Sequence, residues 1–243
     1  MTETAVLDAD TATRASLETV ATPALILDVS RVDRNIARLR GHLAQLGAGF
    51  RPHVKTSKSI EVARRLFPEG TGPITVSTLA EAEYFAAGGF TDITYAVGLS
   101  FNRIERARKL VAQGVRLSVL IDTPEQAHAL AAAAADGGSM PAVLIEIDCD
   151  GHRGGVLPDD PALVLIADVL RDGGLEVAGV LTHAGESFTA RGGECLPEAA
   201  EGERAAAVAA PAGQARREQP RKRPCHRGRP LLRSSWQSQA RRA

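Results

Sequence analysis

The stretch ITVSTLAEAEYFAAGGFTDITYAVG, residues 74–98, decides the fold. Ile74–Thr78 is short, apolar and partly β-branched, as a buried strand is. Thr78 is followed three residues later by Glu81, the spacing of a capping box at the first turn of a helix. That helix ends at Gly88-Gly89, and Asp92–Val97 is again a strand. A strand, a capped helix and a strand in close succession make a βαβ unit.

The same grammar runs in both directions. Upstream, Ala24–Val29 (ALILDV) reads as a strand, and Ser30 with Asp33 reads as the cap of a helix. That helix carries Val32, Ile36, Leu39 and Leu43 on one face and ends near Gly47 and Gly49. Phe50–Lys55 is a second strand, with a helix after it to about Phe67, closed by Pro68 and Gly70. Downstream come a helix over about Asn102–Gln113 and a strand over Arg116–Asp122. Thr123, Pro124 and Gln126 then form a capping box with proline at the first helical position. Ala142–Asp148 is nearly continuous in apolar residues, as a strand buried on both faces would be. A helix starts at Asp160-Pro161 and runs to about Arg171, Leu175–His183 is the last clear strand, and Glu198–Ala210 reads as helix. Right-handed crossovers make such strands parallel, in a barrel or a doubly wound sheet. No Gly-x-Gly-x-x-Gly or Walker loop follows a strand, which disfavours a nucleotide-binding sheet. The expected fold is α/β, a TIM-type (βα)8 barrel.

Charge divides the chain. The whole is neutral, but residues 211–243 hold ten Lys/Arg against Glu218 alone, a net +9 that leaves −9 for residues 1–210. The tail has neither strand nor helix period and is rich in Arg, Pro, Ser and Gln, so it is expected to be disordered. Two origins stay open: a reading-frame change near Ala210, or a genuine basic tail for nucleic acid or acidic partners. The absence of an aromatic–basic rhythm argues against nucleic acid. The expected organisation is a flexible leader over 1–20, a partial barrel over 21–210 and the tail over 211–243. Three cysteines (Cys149, Cys195, Cys225) without CxxC spacing argue against a disulfide framework and for a cytoplasmic protein. The acidic start lacks the apolar core of a secretory signal, and no apolar run is long enough to span a bilayer.

Polar clusters fall at three strand ends. They are Arg51-Pro52-His53-Val54-Lys55, then Asp148-Cys149-Asp150-Gly151-His152-Arg153-Gly154-Gly155, then Thr182-His183-Ala184-Gly185-Glu186-Ser187-Phe188. In a βα barrel the C-terminal strand ends build the active site. A lysine there can condense with an aldehyde cofactor, and neighbouring cations such as His53, Arg51 and Lys58 would free its amine for attack. A basic strand end that merely stays solvated is the plain alternative. Thr78 and Glu81 are explained by capping alone. The cysteines and histidines show no metal-ligand spacing.

Together these segments resemble the fold-type III pyridoxal-phosphate enzymes, in the branch of D-threonine aldolase and D-serine dehydratase. The resemblance runs from Thr22-Pro23 to about Val208. It rests on Thr22-Pro23-Ala24-Leu25-Ile26-Leu27-Asp28, Arg51–Thr56, Ile145–Asp148 with Gly151–Val156, and Gly179–Gly185. It implies an alanine racemase N-terminal-type barrel. It implies that Lys55 holds pyridoxal 5'-phosphate covalently and takes the Cα proton. Arg153 would bond the cofactor's phenolic oxygen and His183 would pack on its ring, with His53 holding Lys55 in place. Other roles stay open: Arg153 could pair with Asp148 or Asp150, and His183 could be a core histidine. His152 has no assigned role.

The chain also departs from that pattern, with Ser57, Glu186 and Phe188 where the family often has histidine, histidine and tyrosine. The resemblance implies an opening strand that pairs with a C-terminal β-domain, leaving six barrel strands here and an incomplete barrel. The last two strands, the phosphate-cradling loop and the domain with the family's divalent-metal ligands have no counterpart in these residues, so no metal ligand is assigned. The implied function is a lyase acting on β-hydroxy D-amino acids, by dehydration or aldol cleavage, with weak or absent turnover by this chain. The implied partners are a small D-amino acid and, in intact relatives, a second copy; no membrane is implied. The alternatives are a non-catalytic pyridoxal-phosphate carrier and an amino-acid racemase.

Overall fold

The computed structural model describes residues 19–151, 153–185 and 195–210. Expectations for residues 1–18, His152, Glu186, Phe188 and the basic tail lie outside the described residues. Among the described residues the first elements are α1 (Val29–Gln45) and α2 (Ile60–Arg65). Then β1 (Ile74–Val76), α3 (Leu79–Ala87), β2 (Asp92–Gly98) and α4 (Ile104–Ala112) follow, with one 3₁₀ turn before α4. The series continues through β3 (Arg116–Ile121), α5 (Pro124–Ala135), β4 (Ala142–Ile147), α6 (Ala162–Asp172), β5 (Val177–Thr182) and α7 (Cys195–Ala209).

The five strands form one parallel sheet in the order β1-β2-β3-β4-β5. Each new strand joins the same edge, so right-handed crossovers keep the helices on one face. A doubly wound sheet would reverse its order part-way. This sheet never does, which makes it an incomplete barrel wall.

Register explains why one face takes the helices. Ile74, Ile93 and Leu117 form one cross-strand row, and Val76, Tyr95, Val119 and Val143 form the next. Every one of these side chains is buried, in one cluster with Phe85, Leu110, Leu130, Leu163 and Leu170 from the helices. A fully buried Leu, Ile or Phe contributes roughly 1.5–3 kcal/mol, so this layer carries the fold. Phe85 and Phe90 meet edge to face at 5.6 Å, and Phe67 packs against Phe90 at 6.3 Å. The opposite face carries the row Thr75, Thr94, Ser118 and Ala142, small side chains suited to the narrow inside of a barrel.

Four expectations need correction. Ala24–Asp28 is not a strand: Leu25 is 83% exposed and Ile26 56%. A strand needs a neighbour to take its N–H and C=O groups, and no described segment lies beside this one. Second, Asp28 rather than Ser30 caps α1, its carboxylate accepting from Arg31 N–H at 2.9 Å. Asp33 is drawn off by Arg65, which grips it with two bonds of 3.1 and 2.7 Å, so the capping box cannot close. Third, Phe50–Lys55 is reduced to a single parallel bridge between His53 and Thr75. It is held by Val54 N–H to Thr75 O (2.9 Å) and Thr75 N–H to Pro52 O (2.8 Å). Fourth, β4 is not buried on both faces. Val143, Ile145 and Ile147 are buried against helices, whereas Ala142, Leu144 and Glu146 are half-buried on the open inner side.

Of the other two capping boxes expected, that of α5 is complete and that of α3 is half made, the Glu81 carboxylate accepting the Ser77 N–H. Thr78 Oγ1 accepts from Glu81 N–H at 3.0 Å, and the Thr123–Gln126 box is complete with Pro124 behind it. At the far end Thr182 Oγ1 donates to Glu203 Oε1 at 2.9 Å, joining α7 to β5. No described helix is long and apolar enough to cross a membrane.

Candidate active site

The C-terminal strand ends gather most of the residues singled out from sequence. Lys55 is exposed and lies on the turn that leaves the His53–Thr75 bridge. Lys58 N–H bonds Val54 O at 3.0 Å and closes that turn. His53 Nδ1 accepts the Lys55 N–H at 3.3 Å, and its Nε2 lies 3.2 Å from Ser77 Oγ. Behind Ser77, Glu81 Oε2 accepts the Ser77 N–H at 2.8 Å, and Oε1 pairs with Lys58 Nζ at 3.1 Å. His53 thus lies between the Lys55 backbone and Ser77.

His183 follows β5, and Arg153 follows β4 in a glycine-rich loop. A Cβ at Gly185 would stand 2.9 Å from Arg153 Cγ and 3.0 Å from its Cδ, so the arginine stem runs across that glycine. Burial lowers the pKa of His183, and the charges of Arg153 and Lys55 lower it further. Burial likewise lowers the pKa of His53, with help from the charge of Lys55 and against that of Glu81; His183 also acts on it. Lys55, His53, His183 and Arg153 thus form one electrostatic neighbourhood. Both imidazoles therefore favour the neutral form near pH 7.

Arg51 is not part of it. Its Nη1 pairs with Asp92 Oδ1 at 2.8 Å and bonds Ile74 O, at the N-terminal end of the sheet, where Arg116 also pairs with Asp92. Period two puts Arg51 and Lys55 on one face, but four residues of extended chain separate them by about 13 Å. The half-buried carboxylate of Asp92 at the other end then claims the guanidinium.

The loop carrying Arg153 is fixed by Asp148, which the sequence placed in this cluster, and by Asp122, which it did not single out. Asp148 Oδ1 accepts N–H groups from Asp150 (3.2 Å) and Gly151 (2.7 Å), so its role is to shape the turn. Asp122, at the end of β3, accepts Gly155 N–H at 3.2 Å. Val156 N–H bonds Glu146 O, and Asp148 N–H bonds Val156 O, so the loop leaves β4 and returns to its edge. Gly154 lies over Asp122 and Glu146, each with a carboxylate oxygen 3.6 Å from where its Cβ would be. Such contacts cross the barrel between separate strands, and no local spacing announces them. Cys149 is a free thiol whose pKa is raised by burial and by nearby carboxylates, so it is no ready nucleophile. Among the described residues no group of three or more His, Cys, Asp or Glu could hold a metal ion.

Glu146 gives a stability prediction with a definite sign. Burial raises its pKa, the charge of Asp122 adds to the rise, Arg153 opposes it and Asp148 adds again. The folded chain then holds this proton more tightly than the unfolded one. That contribution is complete below the ordinary glutamate value and is lost as pH rises through the folded value. Glu146→Gln keeps the shape without the charge, so at neutral pH it is expected to melt higher than the parent. The gap should narrow as pH falls towards the ordinary glutamate range. Melting curves that stay parallel from acid to neutral pH would contradict this.

The donor set suits pyridoxal phosphate: a primary amine for its aldehyde, a guanidinium for its ring oxygen and a neutral imidazole for its ring face. Comparisons with known proteins agree. The family model for the alanine racemase N-terminal domain matches residues 27–226. D-threo-3-hydroxyaspartate dehydratase of Delftia sp. (strain HT23) is 46% identical over 196 residues, 80% of this chain and 52% of that protein. Its solved structure superposes with a TM-score of 0.79, covering 84% of this chain and 54% of the other. D-serine dehydratase of Dictyostelium discoideum is 29% identical over 180 residues, 69% of this chain and 45% of the relative. The structure of D-threonine aldolase from Filomicrobium marinum matches at 28% identity and a TM-score of 0.72, covering 82% and 54% of the two chains. The chain spans about half the length of the curated relatives it matches.

Proposed function

This chain belongs to the alanine racemase N-terminal domain family of fold-type III pyridoxal-phosphate enzymes, and from that premise we propose that the protein is a pyridoxal-phosphate-dependent lyase acting on β-hydroxy D-amino acids. The observation that carries the proposal is the placement of Lys55. It ends the first wall segment of the barrel, its backbone N–H is bound by His53, and its charge acts on His183, on which the charge of Arg153 acts too. Residues 21–210 are read as the cofactor-binding unit.

Bound pyridoxal phosphate supplies an electron sink for the pair left at Cα when a proton departs. The chain's own residues supply the rest. Lys55 would hold the cofactor through its amine and would serve as the base for the Cα proton. His53 accepts the Lys55 backbone N–H and so fixes the turn that carries the amine. Arg153 donates to the ring oxygen, its stem lying against Gly185. His183, neutral near pH 7, packs on the ring face without adding charge. Loss of the β-hydroxyl as water gives, after hydrolysis, a 2-oxo acid and ammonia; breaking Cα–Cβ gives glycine and an aldehyde. The names of the Delftia and Filomicrobium relatives cover both outcomes. The greater identity to the hydroxyaspartate dehydratase favours dehydration of an acidic β-hydroxy D-amino acid. The reading includes a cytoplasmic setting, supported by the cysteine usage, and a homodimer, supported by the family resemblance.

The test is exchange of the Cα hydrogen of D-threo-3-hydroxyaspartate in heavy water. It uses the full chain with pyridoxal phosphate, with assays for 2-oxo acid and for glycine alongside. Exchange that depends on the cofactor and on Lys55 is expected. No exchange with any β-hydroxy D-amino acid, despite cofactor on Lys55, would leave a carrier as the reading.

A further inference from the structure

The lysine turn is held at both ends, and the residue that holds its far end is one the chemistry does not use. Lys58 has φ +48°, and among the described residues it alone, glycines apart, lies in the left-handed region. Lysine has no local side-chain device to ease that conformation, so something outside the turn must stabilise it. The near end is fixed by the backbone bonds to Thr75. At the far end Lys58 Nζ reaches Glu81 Oε1 at 3.1 Å, and Glu81 itself is buried at the first turn of α3. The other oxygen of Glu81 takes the Ser77 N–H, and Ser77 Oγ meets His53 Nε2. Because His53 Nδ1 accepts from Lys55 N–H, the neutral ring carries its proton on Nε2 and donates it to Ser77. One carboxylate thus reaches the lysine segment by two routes.

We propose that Glu81 is a positioning residue for Lys55, holding the strained Lys58 end of the turn by its ion pair and the His53 end through Ser77. Its capping position in α3 would be filled as well by glutamine. The charge matters because it holds Lys58 in the left-handed conformation. The proposal rests on the reading of Lys55 as the cofactor lysine, and its test separates the two.

Glu81→Gln keeps an acceptor for Ser77 N–H and removes the ion pair. Lys58→Gly removes the pair too, but glycine adopts the left-handed backbone without strain. Hydrogen exchange of the cofactor-free full chain is measured first, then pyridoxal-phosphate affinity from its visible absorbance. Glu81→Gln is expected to speed exchange of residues 54–58 by about tenfold, in the range of what a strained residue stores. The rest of the sheet should stay unchanged, and cofactor affinity should fall by a similar factor. Adding Lys58→Gly to Glu81→Gln should restore both. Unchanged exchange at 54–58 in Glu81→Gln, faster exchange throughout the sheet, or no restoration by Lys58→Gly would each overturn the proposal. If the parent chain never places pyridoxal phosphate on Lys55, the functional reading fails, while the exchange experiment still decides the role of Glu81 in the turn.

Discussion

Lys55→Ala is expected to abolish capture of pyridoxal phosphate and, with it, the cofactor-dependent Cα hydrogen exchange proposed for the parent chain, where one proton-transfer group supplies about 10²–10⁴-fold. The reason is a double role. On the proposed reading the same amine holds the cofactor and takes the Cα proton, and among the described residues no second lysine is placed to stand in for it. The others are Lys58, Lys109 and Lys222. Lys58 is bound to Glu81, and Lys109 sits on the last turn of α4, on the helical side of the wall. Absorbance titration of parent and variant, with melting curves to show that both fold, checks this. Lys55 is exposed and contributes nothing to the core, so equal melting temperatures are expected. Retention of the visible band in Lys55→Ala would remove the lysine from the account.

Gly155→Ala is expected to be the most damaging substitution in the arginine loop. Gly155 has φ +120°, a region that L-residues rarely adopt. A Cβ there would stand 2.5 Å from Asp148 N and 2.7 Å from Ile147 C, backbone atoms that cannot rotate away. Its N–H also anchors the loop to Asp122. Backbone strain and overpacking each cost of order 1–3 kcal/mol, so the loss is about 2–6 kcal/mol. Arg153 moves with the loop, so cofactor affinity should fall alongside stability. Gly151 supplies the contrast: its φ is +74°, but a Cβ there meets nothing within 4 Å. Gly151→Ala should cost about 1 kcal/mol through strain alone. Equal effects of the two substitutions, in melting or in cofactor affinity, would show that the close approach at Gly155 does not matter.

What the sequence disclosed divides along the line between local and distant physics. The Thr123–Gln126 box and the Thr78 cap are contacts over three residues, and both stand as the spacing implied. The order of strands and helices was legible because each has its own period and its own stop. The segment Ala24–Val29 misled because its apolar content is right for a strand, whereas a strand exists only against a neighbour. Ser30 misled because its partner in the box, Asp33, is taken by Arg65 from another helix. The same holds at the site. Lys55, His53, Arg153 and His183 were visible as residue types at strand ends. Arg51 looked equivalent to them until Asp92 was seen to hold it at the other end. Glu81 looked like a capping residue and nothing more, because Lys58 and Ser77 reach it only when β1 lies beside the lysine segment. Asp122 and Glu146 come from neighbouring strands, and their meeting under Gly154 has no signature in either stretch alone.

The central claim is that Lys55 is the cofactor lysine, and chemical trapping tests it most directly. The full chain is mixed with pyridoxal phosphate, reduced with borohydride, digested and mapped by mass spectrometry. The account predicts a single major pyridoxyl label on Lys55, reduced in proportion when Glu81→Gln loosens the turn. A label spread over Lys58, Lys109 and Lys222, with Lys55 no more modified than they are, would contradict it.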